Sequence, residues 1–131
     1  MKVNRGREPG MPSDLRGPTF TGSVWADPVL ATDDEITVNT VFFPPGARTH
    51  WHSHSHGQIL FVTHGLGYVQ VRNGEGAQVG PGDVVYFPGG EVHWHGAGPG
   101  GYLTHTAISL GTHDWLDEVT PEEYNRSVSG A

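Results

Sequence analysis

The sequence predicts an all-β fold, an antiparallel sandwich or barrel finished by one short C-terminal helix. Three observations carry this expectation. Gly and Pro are plentiful, 20 and 10 of 131 residues, while only 16% of the chain is charged. That balance supports many tight turns rather than a helical bundle, which needs more Leu, Ala, Glu and Lys. From Phe20 onward, short runs rich in β-branched and aromatic residues alternate with turn signals, with no helical period between them. The length fits one domain of ordinary size and leaves no room for a second core.

Taken in order, residues 1–18 are polar and punctuated by Pro9, Gly10, Pro12, Gly17 and Pro18, which reads as an extended arm, loose or packed on a neighbouring subunit. The folded domain is expected over 19–131. Strands are expected at 20–26, 35–43, 47–54, 58–63, 67–72, 83–87, 91–95 and 102–109. Their breaks are Pro44-Pro45-Gly46, Gly65, Asn73-Gly74, Pro81-Gly82 and Gly98-Pro99-Gly100-Gly101. Thr120-Pro121-Glu122-Glu123 opens the one convincing helix, with an N-cap, a proline at the first helical position and a Glu three residues after the cap. That helix is expected to press Tyr124 and Val128 on the outside of the barrel.

Composition excludes several function classes. A formal charge of −7 argues against nucleic acid as a partner, and Lys2, Arg5, Arg7 and Arg16 in the arm are too few to reverse it. The apolar runs are strand-length, so no segment is expected to span a membrane. Met1 to Arg7 does not lead into an apolar stretch, so a cytoplasmic protein is expected. Cysteine is absent, and any metal must therefore be held by nitrogen and oxygen.

The nine histidines are the outlying feature. Side chains alternate faces along a strand, so His52 and His54 point the same way, about 7 Å apart. Strand curvature lets two such imidazoles converge on one ion. After a tight turn at His56-Gly57, Gln58 can return on the adjacent strand and offer its carbonyl oxygen. His93, behind the turn Pro88-Gly89-Gly90, is the obvious fourth donor. The bland alternative, histidines facing solvent on an edge strand, explains a lone His-x-His pair. It does not explain two pairs, 52/54 and 93/95, each behind a Gly/Pro turn, since a buried imidazole cluster without a metal carries several unsatisfied groups.

These residues resemble the cupin superfamily. Its first motif is Gly, five residues, His-x-His, three or four residues, Glu, six residues, Gly; Gly46, His52, His54 and Gly65 fall on it, with Gln58 where Glu usually stands. Its second is Gly, five residues, Pro-x-Gly, two residues, His, three residues, Asn; Gly82, Pro88, Gly90 and His93 match, with Ala97 in place of the Asn. The resemblance implies a jelly-roll barrel. A neutral three-His, one-Gln set leaves a bound ion its full double charge. It is similar to that of small bacterial cupins with manganese-dependent hydroxynitrile lyase activity, as are Pro45-Gly-Ala-Arg-Thr49, His93-Trp-His95-Gly-Ala97, Thr104-His105 and Asp114-Trp115.

What that resemblance implies is a lyase that cleaves a cyanohydrin reversibly to aldehyde and cyanide. The metal would polarise the substrate hydroxyl, and His95 or His105 would be the general base. The implied cofactor is one divalent transition ion, manganese first, with Fe, Ni, Co and Zn as alternatives. The implied assembly is a homodimer or higher homo-oligomer. By strand parity, Val41, Phe43, Leu60 and Val62 form an apolar pocket for a small-molecule substrate, with Asn39 and Ser109 each adding a hydrogen bond. Arg48 and Arg72 are the only cations expected in the barrel, which speaks against a strongly anionic substrate. A cupin dioxygenase, or an isomerase or binding-type cupin for a small sugar or polyketide-like molecule, are the competing expectations. His50 is expected inward as a packed core residue, His56 exposed in its turn, and His64 and His113 structural or solvent-facing. Trp51, Phe61, Phe87 and Trp94 are expected as core or dimer contacts.

Overall fold

The computed structural model describes residues 1–7 and 9–130. Two antiparallel sheets face each other. The first is built from β1 (Asp14–Leu15), β3 (Trp25–Ala31), β4 (Ile36–Phe43), β12 (Leu103–Leu110), β7 (Gln58–Gly65) and β10 (Val84–Phe87), in the order β1-β3-β4-β12-β7-β10. The second contains β2 (Phe20–Thr21), β5 (Arg48–Thr49), β6 (His52–His54), β8 (Gly67–Val71), β9 (Gly76–Val79), β11 (His93–Ala97) and β13 (His113–Trp115). In it β11 pairs with β5 and β6 on one side and β8 on the other, β9 lies outside β8, and β13 and β2 border β6 and β5. The all-β barrel with a short C-terminal helix expected from the sequence is therefore the fold.

Between the sheets lies a core of Val24, Val41, Phe43, Leu60, Val62, Phe87 and Leu103, all buried. A second cluster sits outside the second sheet, where Trp51, Trp94, Val119 and Tyr124 are covered by helix α1 (Pro121–Val128). The helix begins as the sequence predicts: Thr120 Oγ1 accepts from Glu123 N at 3.1 Å and Glu123 Oε1 accepts from Thr120 N at 2.9 Å. Tyr124 is buried and Val128 packs beside it.

Three differences from the expected strands have local causes. The 20–26 strand is two pieces, and the second runs on through Pro28, which an edge position with a register irregularity beside it tolerates. The 47–54 strand breaks between Thr49 and His52. β9 and β13 were not expected, since neither Gly76-Ala-Gln-Val79 nor His113-Asp-Trp115 carries an alternating apolar pattern; their neighbours recruit them. The end of the polar arm joins the first sheet through β1, and Ser13 Oγ donates to Asp27 Oδ1 at 2.6 Å.

Candidate metal centre

Two pairings bring the histidines together. His52 on β6 stands directly opposite His93 on β11, and β13 sets Trp115 opposite His52 and His113 opposite His54. Gln58 reaches the same place because the chain reverses at Gly57, whose φ is +99°. A Cβ there would lie 2.6 Å from the Phe87 carbonyl oxygen, so glycine is required.

The tautomers follow from the hydrogen bonds. His52 Nδ1 lies 2.9 Å from the His50 carbonyl oxygen, and His93 Nδ1 lies 2.9 Å from that of Glu91. A carbonyl only accepts, so both rings carry their proton at Nδ1 and leave Nε2 as a bare lone pair. Gln58 Nε2 donates to Ser109 Oγ at 3.0 Å, which turns Gln58 Oε1 to within 2.9 Å of His93 Nε2. Two acceptors thus face each other in a buried place, an arrangement that a proton or a cation must relieve.

A proton is disfavoured. Burial lowers His93 to a pKa of about 4, and burial, then the neighbouring His113, lowers His54 to about 4. Burial, with His93 adjacent, holds His52 well below 6.5, and burial, with His105 adjacent, does the same to His95. Burial brings His105 to about 4. Neutral imidazoles are the form that binds metals. Ligand nitrogens of His52, His93 and His95 lie within 4.8 Å of one another and could hold an ion. His54 Nε2 and His95 Nε2 are buried without a partner among the described residues. This all-neutral nitrogen and amide-oxygen set fits a divalent transition ion.

The expected ligands His52, His54, Gln58 and His93 are all buried at this centre, but the tightest three-nitrogen group contains His95 in place of His54. Behind it, His105 Nε2 meets His95 Nδ1 at 2.9 Å. Phe87, expected as a core or dimer contact, stacks on His93 with ring centroids 3.5 Å apart and planes 8° apart.

A cavity of about 400 Å³ opens over the centre. Asn39, Val41, Phe43 and Ser109 line it as expected, with His52, His54, Gln58 and His95. Leu60 and Val62 do not line it: they are buried in the core behind. His50 does not line it either and is only half-buried. The break after Thr49 explains this: Thr49 and His52 both face the cavity, so the inward parity skips His50. Arg48 and Arg72 are not cavity cations. Arg48 donates to the carbonyls of Gly46 and Val119 and lies over Tyr124, while Arg72 pairs with Asp117 at 2.7 Å and lies over Trp51. His56 and His64 are exposed as expected, and His113 is exposed at the rim of the cavity. The wall also takes Thr49 and, less legibly from the sequence, Arg16 and Trp115; Trp115 packs on His52 with centroids 4.4 Å apart. Only the pairing of β13 with β6 and the return of the arm bring them there.

A model of the cupin domain matches residues 39–101. A protein of Granulicella tundricola named (R)-mandelonitrile lyase is 44% identical over 125 residues, covering 89% of this chain and 95% of that protein. Among solved structures, a cupin-like protein of Thermotoga maritima is 41% identical with a TM-score of 0.85, covering 95% of this chain and all of that one. A polyketide cyclase of Streptomyces resistomycificus shares the fold at 18% identity, with a TM-score of 0.72 over 95% of this chain and 92% of that one. With its two facing sheets, its histidine centre between them and these relatives, the chain belongs to the cupin superfamily.

Proposed function

We propose that the protein is a metal-dependent hydroxynitrile lyase, cleaving a cyanohydrin reversibly to an aldehyde and hydrogen cyanide. The observation that carries this reading is the 44% identity, across nearly the whole chain, to a protein named (R)-mandelonitrile lyase. The neutral donor cluster beneath the cavity supports it. His52, His54, Gln58 and His93 would hold the ion, manganese in the first instance, and His95 would keep its Nε2 free as the base. A divalent ion held there supplies Lewis-acid polarisation that acidifies the substrate hydroxyl.

The chain's own residues do the rest. In this reading His95 donates its Nδ1 proton to His105 Nε2, 2.9 Å away, the tautomer that leaves His95 Nε2 able to accept. Burial makes His95 a weak base but keeps it unprotonated at neutral pH, so it accepts from a hydroxyl already acidified at the site. As the hydroxyl proton passes to His95, the carbonyl forms and the carbon–carbon electron pair leaves with cyanide. His95 returns the proton to cyanide, and His105 steadies the transient imidazolium. Val41 and Phe43 pack on the apolar body of the substrate, while Asn39 and Ser109 face its polar atoms.

A homodimer is part of the same reading. Trp25, Phe42, Phe61, Val84, Tyr86 and Tyr102 on the first sheet and its margins are 40% exposed or more, and Phe42 stacks on Tyr102.

Metal content and mandelonitrile cleavage test the assignment together. Wild type is expected to carry about one transition ion per chain, and His52→Ala/His93→Ala none. His54→Ala is expected to lose the ion, and His95→Ala to keep it while cleavage falls about 10²–10⁴-fold, the usual worth of a general base. Metal lost from His95→Ala but kept by His54→Ala would instead make His52, His93 and His95 the ligands. Oxygen uptake without cyanohydrin cleavage would replace the lyase with the dioxygenase reading.

A further inference from the structure

We propose that Arg16 makes this cavity select a carboxylate-bearing substrate, an oxo or hydroxy compound whose reacting carbon–oxygen bond lies at the histidines while its far end is anionic. The argument starts from an imbalance. The chain holds 14 Asp and Glu against 7 Lys and Arg. Yet among the described residues no Asp or Glu lines the cavity, and Arg16 does. The surface is anionic, and the cavity wall is not. Walls that carry one sign of charge concentrate the opposite sign in a cleft.

Arg16 is also uncommitted. Arg48 spends its guanidinium on two carbonyls and Arg72 on Asp117. The Arg16 side chain has no hydrogen bond or ion pair among the described residues, whose two ion pairs involve Arg7 and Arg72. Its backbone, by contrast, is fixed, with Arg16 N donating to the Val24 carbonyl at 2.8 Å next to the Leu15–Trp25 pair of β1 and β3. A half-buried arginine is thus held at the wall with no side-chain partner among the described residues, and a planar carboxylate is what a guanidinium fork fits. Phe20, Val41 and Phe43 line the same cavity and suit an apolar spacer between the two ends of the ligand.

The reacting end of this ligand rests on the lyase reading; the anionic end does not. The test therefore measures binding apart from turnover. The full chain, with its metal as purified, is titrated calorimetrically with 3-formylbenzoate and with its neutral isostere 3-formylbenzamide. The benzoate is expected to bind wild type at least about tenfold more tightly, about 1.4 kcal/mol, with the margin shrinking as salt rises. Arg16→Gln should erase the difference and Arg16→Lys should retain only part of it, both at unchanged thermal midpoint. KM for cyanohydrin formation from the two aldehydes should follow the same order.

Equal binding of the two aldehydes by wild type would overturn the proposal, as would a preference that survives Arg16→Gln, since the metal or a histidine would then be its source. An Arg16-dependent preference without any cyanide-dependent turnover would uphold Arg16 and remove the lyase reading. Turnover without a preference would do the reverse.

Discussion

β11 presents two chemistries from one strand. Its inward residues His93 and His95 join His52 at the candidate metal centre, while Trp94 between them points outward to Trp51, Val119 and Tyr124 under the helix. Both faces are buried, and both contain polar atoms without partners. On the outer face these are Trp94 Nε1 and Arg48 Nε, N–H donors that no cation can serve. The rest of that face is closed by ordinary means: Tyr124 Oη donates to the Ala97 carbonyl at 2.7 Å, and Arg48 lies 4.4 Å over the Tyr124 ring. On the inner face the open atoms include lone pairs that converge. Burial alone does not distinguish a core from a site. The sign and the aim of the unsatisfied atoms do.

Acid should break the comparison most severely. Free histidine titrates at 6.5, whereas His54, His93 and His105 in the folded chain titrate at about 4. Between those values the unfolded chain binds more protons, so stability is unchanged above about 6.5 and is lost as pH falls from there through about 4. The metal-free protein should therefore unfold in mild acid. Urea midpoints from pH 8 to pH 4 check this, and a flat profile would mean the inner histidines are not buried and neutral. Bound metal should move the loss to lower pH until the ligands protonate and release it.

The outer face answers to packing instead. Trp94→Ala removes a fully buried indole and should cost about 3–5 kcal/mol, while the folded fraction keeps its metal stoichiometry. Metal loss matching the stability loss would show that the two faces are one unit. The smallest effect is expected at the edge of the same cluster. Thr120→Ala deletes the helix cap and should lower stability by about 1 kcal/mol with no change in metal content, read from denaturant midpoints.

How much of this was legible in the sequence follows from the range of each signal. The inward set His52, His54, Gln58 and His93 was readable because period-two alternation and a Gly turn act over a few residues. The same holds for the helix cap at Thr120. His50 was misread because parity counts only along an unbroken strand, and the chain shifts phase between Thr49 and His52. Leu60 has inward parity too, but parity cannot separate a cavity wall from the core beneath it. Arg16 and His113 carry no motif at all, and the Asp114-Trp115 stretch carries a resemblance without marking a cavity position. Their places are set by which strand pairs with which. Arg48 and Arg72 were assigned to the barrel on strand membership, and tertiary partners on the outer side hold them elsewhere.

The clamp on His93 has a consequence for exchange rates. Its ring is wedged against Phe87, tied at Nδ1 to the Glu91 carbonyl and fully enclosed, so it cannot swing aside without moving β10 or β11. The His54 side chain has no hydrogen bond among the described residues and sits next to the rim residue His113. On the proposed ligand set, an ion would therefore leave stepwise, first from His54 and last from His93. Its residence time would follow how often His54 swings away rather than the summed strength of four bonds, and small chelators at the rim would extract it faster than dilution could.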